Sequence, residues 1–383
     1  MDIDFGDAGT AKCVLVPPYN CKSNKKKYNS NYVSKIVELN THSKIVKNEI
    51  KISKYLLKKY KKIILHKYFG LVVDSCIVKS KKKIGSCNVN KRKKYIIMYS
   101  KNAGCKPINK ASKIFVKKRN NTKKIHVNNI KNNKVIYDNS YYARDNIIRK
   151  CGDLTASDGH VLKLCFSNKY RKLNIKRLIK ILSLLHHFKL IHFDIKLDNI
   201  IANSRKELRL IDFGGSVLLS SFKKIKLNNN FNKLVDKFYA KLYSWTNDYI
   251  SPELIIIIQF HNNKNTTKED MIDILKNKLE SSFNKSYFNS VSNNELINLV
   301  DYVYNNKIEF IRSLIDNDIV KTDIYGMGMT FYYIFDYLFK KKINLSLDKI
   351  ENNKLLLLIY NMTRIDYRLR YNINQCINVD YFK

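Results

Sequence analysis

The sequence predicts an α+β chain of two lobes, a small strand-rich lobe followed by a large, mostly helical one. Three observations predict it. At 383 residues the chain exceeds the size at which one hydrophobic core usually stops growing. Short apolar runs broken by Lys/Asn-rich turns fill the N-terminal part, whereas helix-spaced apolar residues dominate after Ile175. Hydrophobic residues make up 45% and aromatic residues 12%, enough to fill a core despite a mean hydropathy of -0.35.

Taken in order, residues 12–16 read as a strand that stops at Pro17-Pro18, and residues 32–37 as the next strand. Helical character follows over 45–60, where Ile45, Val46, Ile50, Ile52, Leu56 and Leu57 recur at three- and four-residue spacing. Over 77–140, short apolar runs such as 95–98 alternate with Lys/Asn-rich stretches, the pattern of strands joined by variable loops. Residues 175–188 form a helix whose apolar face is Leu178, Ile179, Ile181, Leu182 and Leu185, and it opens the helical lobe. Helices are also expected over 268–279 and 295–304, and no internal repeat is present.

The net charge is +40, a field that attracts polyanions without sequence selectivity. A nucleic-acid partner is nevertheless not favoured. The lysines are spread through all regions, and the surplus of Lys, Asn, Ile, Tyr and Phe beside 4 Pro and 11 Gly is what an A+T-rich coding sequence produces. Eight cysteines include no C-x-x-C pair, so neither a zinc ribbon nor a disulfide framework is expected, and a reducing compartment fits. The acidic start Met1-Asp2-Ile3-Asp4-Phe5 is no signal peptide, and no apolar run approaches the ~18 residues of a membrane span. A cytoplasmic location is the expectation.

The most specific text is His192-Phe193-Asp194-Ile195-Lys196-Leu197-Asp198-Asn199, followed thirteen residues after Asn199 by Asp212-Phe213-Gly214. It resembles the catalytic loop and metal-binding turn of the eukaryotic-type protein kinase superfamily, and either piece alone would be weak where the ordered pair is not. The resemblance implies a bilobal protein kinase fold and transfer of the γ-phosphate of ATP to serine or threonine of protein substrates. Asp194 would be the catalytic base that takes the substrate hydroxyl's proton, and Lys196 would offset charge on the γ-phosphate. Asn199 and Asp212 would hold Mg²⁺, a hard cation suited by oxygen ligands. Further matches stand in the required order: Ser251-Pro252-Glu253 closes an activation segment over 212–253, and Thr246 sits where serine/threonine kinases place a threonine. Asp323-Ile324-Tyr325-Gly326-Met327-Gly328 resembles the helix whose aspartate braces the catalytic loop, and Arg370 is similar to the arginine that pairs with Glu253.

In the small lobe, Gly6-Asp7-Ala8-Gly9-Thr10-Ala11 overlies the glycine-rich phosphate loop, with Gly6, Ala8, Gly9 and Ala11 as cradle positions and alanine at the second and third glycines. Val33-Ser34-Lys35 resembles the strand whose lysine grips the α- and β-phosphates, with Glu49 as its partner. Cys151-Gly152-Asp153-Leu154 is similar to the text after the adenine-binding hinge, which puts that hinge near 147–151, or otherwise at 95–98, and implies a small lobe over 1–151 and a large lobe over 152–383. Cys13-Val14, Pro17-Pro18, Cys21 and Val33-Ser34-Lys35-Ile36 resemble serine/threonine kinases of large DNA viruses of the poxvirus, iridovirus and mimivirus kind, which implies host cytoplasm or virus particle.

Two departures matter. Phe193 replaces the arginine that reads an activation-loop phosphate in many kinases, which predicts activity without that switch. The 70 residues from Glu253 to Asp323 are far more than usual, pointing to an insert over about 257–320 that docks a partner or is a tolerated surface insertion. Three rival readings stand beside the active enzyme: a pseudokinase or scaffold, a small-molecule kinase of related fold, and a basic nucleic-acid-binding protein.

Overall fold

The computed structural model describes residues 2–3, 13–15, 18–21, 23, 26–29, 31–79, 83–84, 87–88, 93–101, 154–155, 165–166, 168–202, 207–225, 229–242, 249–282, 293–316, 318–340 and 349–382. The chain divides into two compact units, Met1–Ser167 with Ile200–Ile211, and Asn168–Asn199 with Asp212–Lys383.

In the first unit, strands β1 (Asp2–Ile3), β2 (Cys13–Leu15), β3 (Tyr32–Glu38), β4 (Val72–Lys79) and β5 (Lys94–Lys101) form one antiparallel sheet in the order β1-β2-β3-β5-β4. β5 lies inside the sheet, with Tyr95 to Met98 and Tyr99 all buried. Its continuous apolar run is what covering both faces demands. On one face, Ile96 and Met98 join Val37 and Val72 under Val46 and Ile50 of helix α1 (Leu39–Lys59). On the other, Tyr95, Ile97 and Tyr99 pack with Ile36, Cys76 and Tyr28. The helix expected over 45–60 therefore starts earlier, at Leu39, directly after β3.

The covering of that second face includes the β2–β3 connection, which a polar network ties down. Tyr99 Oη donates to the Tyr19 carbonyl at 2.7 Å and accepts from the Cys21 N–H at 3.2 Å, and its ring stacks on Tyr28 at 4.3 Å. Tyr28 Oη donates to Asp74 at 2.7 Å. Cys21 and Cys76 are joined by a disulfide, a correction to the expectation of no disulfide framework. Their sequence separation of 55 carries no local spacing signal; the fold of the connection over β4 brings them together. Reducing this bond, or Cys21→Ser, is expected to destabilise the first unit by about 2–4 kcal/mol. Melting curves with and without reductant would check it, and coincident curves for the unsubstituted protein would refute the pairing's contribution.

Helix α2 (Lys62–Tyr68) leads to Phe69, which bridges Leu210 in a second, three-stranded sheet of β6 (Leu154–Thr155), β8 (Ile200–Ala202) and β9 (Leu208–Leu210). On α2, burial first, and then the charges of Lys101, Arg209 and Lys62, lower the pKa of His66 to about 4. Between about 4 and 6.5 the unfolded chain binds a proton at this site that the folded unit does not, so folding stability is present above that window and is lost as pH falls through it. The difference in melting temperature between the unsubstituted protein and His66→Gln should therefore shrink on going from pH 7 to pH 4.5. A constant difference would refute the assignment.

The second unit is helical. α3 (Asn168–His187) buries Leu178, Ile181, Leu182 and Leu185, as the spacing expects, and starts earlier than residue 175. β7 (Leu190–Ile191) pairs with β10 (Val217–Leu218), which runs into the short α4 (Leu219–Phe222) and then α5 (Phe231–Tyr239). After α6 (Pro252–Asn262), the expected insert contains α7 (Lys268–Ser282), α8 (Asn293–Asn305) and α9 (Lys307–Asp316). These helices bury Met271, Leu275 and Leu279 of α7 and Leu296, Leu299 and Val300 of α8. Polar bonds tie α8 to a distant part of the unit: buried Glu295 accepts from Arg364 Nε at 2.9 Å and from the Asp366 N–H at 2.8 Å. The insert is thus an integral part of the unit's packing. Helices α10 (Lys321–Lys340), α11 (Lys349–Met362) and α12 (Ile373–Ile377) complete it. Among the described residues no helix is long and apolar enough to cross a membrane.

Candidate active site

The stretch from His192 to Asn199 belongs to the second unit and has three supports. The first is the short ladder of β7 and β10, in which Ile191 faces Val217 and the Leu219 N–H bonds the Lys189 carbonyl at 2.8 Å. The chain entering the loop thereby lies beside the chain leaving Asp212-Phe213-Gly214. The second is Asp323, on the first turn of α10 and buried. Its carboxylate accepts the N–H of His192 at 2.7 Å and that of Phe193 at 2.8 Å. Burial pushes this carboxyl up to about 7, and the two N–H bonds oppose the rise. The same helix approaches closely at Gly326, where a Cβ would stand 3.1 Å from the Ile195 carbonyl oxygen.

Asn199 is the third support. At the end of a tight turn over Leu197–Asn199, its Nδ2 donates to the Asp194 backbone oxygen at 2.7 Å and to Asp194 Oδ2 at 2.8 Å. Lys196 Nζ lies 3.1 Å from Asp194 Oδ1. Asp194, Lys196 and Asn199 are thus in direct contact. The Asp194 carboxylate is 30% exposed, so both oxygens are oriented from within while the group stays open to solvent.

Backbone strain concentrates here. Phe193 has φ 64° and Asp212 has φ 63°, in the left-handed region that costs an L-residue about 1–2 kcal/mol. For Phe193 the bond to Asp323 and burial of its ring beside Phe222, at 5.9 Å, offset that cost. Here the residue that replaces arginine is an apolar packing element. Asp212 caps the turn Phe213–Gly215, accepting from the Gly214 N–H at 3.4 Å, and buried Phe213 meets the ring of buried His192 edge-on at 4.9 Å.

In the first unit, Lys35 of β3 lies opposite Val14 and Met98, and its Nζ is 3.5 Å from Oε2 of Glu49 on α1. Glu49 is buried and Lys35 partly so, an arrangement that can hold one ammonium in a fixed direction. Gly6, Ala8, Gly9 and Ala11 lie outside the described residues, as do Thr246, Cys151 and the expected hinge at 147–151. The alternative hinge position, 95–98, is buried sheet interior. Sequence reasoning did not find Glu295 as the anchor of the Asp366 turn. Its partners lie 69 and 71 residues away, and no local motif signals them.

The donor set suits Mg²⁺. Both bonds of the Asn199 amide given above use Nδ2, and the Asp212 carboxylate accepts from Gly214, so the oxygens of these two side chains are of the hard type that Mg²⁺ takes beside phosphate and water. A family model described as protein kinase domain matches residues 78–382. The match includes the loop from His192, Asp212, Ser251-Pro252-Glu253, Asp323 and Arg370, and leaves Gly6 to Ala11, Lys35 and Glu49 outside it. Among curated proteins none matches the chain.

Proposed function

Because the chain belongs to the protein kinase family, we propose that it transfers the γ-phosphate of ATP to serine and threonine hydroxyls of proteins, with Asp194 as the catalytic base. The observation that carries this reading is the pair of Asn199 bonds, at 2.7 Å to the Asp194 backbone oxygen and at 2.8 Å to its carboxylate Oδ2, which hold the loop and the carboxylate together. Asp194 orients the substrate hydroxyl and takes its proton as the oxygen attacks. Lys196, 3.1 Å from Oδ1, offsets negative charge near the same atoms. A lysine two residues after the base also favours serine and threonine over tyrosine. Asn199 and Asp212 would hold Mg²⁺ through oxygen atoms. Lys35, directed by Glu49, would hold the α- and β-phosphates, and the backbone at Gly6, Ala8, Gly9 and Ala11 would cradle them. ATP with Mg²⁺ supplies the transferable phosphoryl group when bound.

The test is transfer of label from γ-labelled ATP to casein and to a basic protein substrate, with Lys35→Ala and Asp212→Ala as controls. Label on serine or threonine that both substitutions abolish supports the reading; ATP binding without transfer would identify a pseudokinase. The buried Phe193 supports activity without an activation-loop phosphate, so a phosphatase-treated preparation should retain its rate. Loss of activity that a second kinase restores would sink this part. From Cys13-Val14, Pro17-Pro18, Cys21 and Val33-Ser34-Lys35-Ile36 we infer kinship with kinases of large DNA viruses, and hence action in host cytoplasm or the virus particle. Immunodetection of the chain in those two fractions checks it.

A further inference from the structure

Within the second unit, the insert meets the chain between Asp212 and Glu253 at one ammonium group. Helix α8 ends at Asn305 and α9 begins at Lys307, so the single residue Asn306 turns the chain. Lys307 is partly buried there. Its Nζ stands 5.1 Å from the ring centre of Tyr304 and 5.7 Å from those of Phe231, the first residue of α5, and Phe260 of α6. The three rings form one cluster: Phe231 meets Phe260 edge-on at 5.0 Å, and Phe260 lies 5.5 Å from Tyr304. Tyr304 is itself fixed, its Oη donating to the carbonyls of Thr266 and Thr267 at 2.6 and 2.7 Å.

Lys307 stands in the first turn of α9, the positive end of the helix dipole, where a cation is disfavoured. Among the described residues no carboxylate pairs with it, and the acid of that turn, Glu309, is 2.8 Å from Arg312. The rings are therefore what stabilises the ammonium, and such an attraction strengthens where the cation is partly withdrawn from water. Helix α5 is also held along the rest of its length. Phe238 packs 4.8 Å from Phe222, which meets Phe193 at 5.9 Å. One oxygen of Asp236 lies 2.8 Å from His261 Nδ1 and the other 3.1 Å from Lys264 Nζ. The helix thus joins the insert to the apolar residue that stands where many kinases carry a phosphate-reading arginine.

We propose that Lys307 is a positioning residue for phosphoryl transfer: its ammonium clamps α5 to the insert and so sets the chain between Asp212 and Glu253 for the protein substrate, with no phosphate on that segment. The effect on transfer rests on the protein-kinase reading. The holding of α5 rests on the ring geometry alone.

The test applies hydrogen–deuterium exchange and transfer assays to the phosphatase-treated full chain, to Lys307→Met and to Lys307→Arg. Methionine keeps the apolar stem and removes the charge, whereas arginine keeps a cation for the rings. Lys307→Met should speed amide exchange in α5 about tenfold and leave α3 and α10 unchanged, and Lys307→Arg should exchange like the unsubstituted chain. With casein, the KM of Lys307→Met should rise about tenfold while kcat and the KM for ATP stay nearly the same. Unchanged α5 exchange in Lys307→Met would overturn the proposal. So would faster exchange in α3 and α10 as well, the mark of general destabilisation, or a Lys307→Arg variant as fast as Lys307→Met, since the charge would then be irrelevant. A casein KM that does not move while α5 loosens would overturn the positioning role. The expected exchange pattern with no transfer by the unsubstituted chain would uphold the clamp and overturn the kinase reading, which keeps the two failures distinct.

Discussion

Asp194→Asn is expected to lower phosphoryl transfer by about 10²–10⁴-fold while leaving ATP affinity nearly unchanged. The substitution preserves the size of the side chain, so the shape of the loop survives. It replaces one of two carboxylate oxygens by an amide nitrogen that cannot take a proton. The Asn199 Nδ2 donor at 2.8 Å from Oδ2 and the Lys196 ammonium at 3.1 Å from Oδ1 both need acceptors, so one of them would face a donor in the variant. Both effects fall on the transfer step. Steady-state kcat with casein, together with titration of a fluorescent ATP analogue, separates them from nucleotide binding. A variant that keeps more than a tenth of the original kcat would remove Asp194 from the role of base.

The largest expected effect on folding comes from Arg370→Met, which should destabilise the second unit by about 3–5 kcal/mol. Arg370 and Glu253 are both 0% exposed and form a two-pronged pair, Nη1 to Oε1 at 2.7 Å and Nη2 to Oε2 at 3.1 Å. The remaining guanidinium hydrogens are used as well: Nε and Nη2 donate to the Arg364 carbonyl at 3.1 and 2.9 Å, and Nη1 donates to the Lys321 carbonyl at 3.1 Å. Removing the cation therefore strands a buried carboxylate and two backbone carbonyls together, and the lost donors cannot be replaced by water at a fully buried site. A domain has only about 5–15 kcal/mol in hand, so the melting temperature should fall by about 10 °C or more. Glu253→Gln/Arg370→Met should recover part of the loss, because a neutral amide leaves no unpaired charge behind. A melting temperature within 2 °C of the unsubstituted protein would show that the pair adds no stability.

What could be read without the fold divides along contact distance. Asp194, Lys196 and Asn199 are legible as a unit because five residues of chain bring them into contact, and Asp212 is legible because its turn is local. Helix α3 and strand β5 are legible because burial imposes a period on the residues themselves. The pairing of Glu253 with Arg370 spans 117 residues and was readable only through resemblance to a family. By itself, then, the sequence determined the α+β division, the local grouping of Asp194, Lys196 and Asn199, and the apolar character of Phe193. Tertiary structure alone decided the Cys21–Cys76 bond, the left-handed backbone at Phe193 and Asp212, the anchoring of the Asp366 turn by Glu295, and the meeting of three aromatic rings around Lys307. The physical reason is common to all four: each is a balance between groups that the chain separates or a backbone state that costs energy locally, and only the packed surroundings make it favourable.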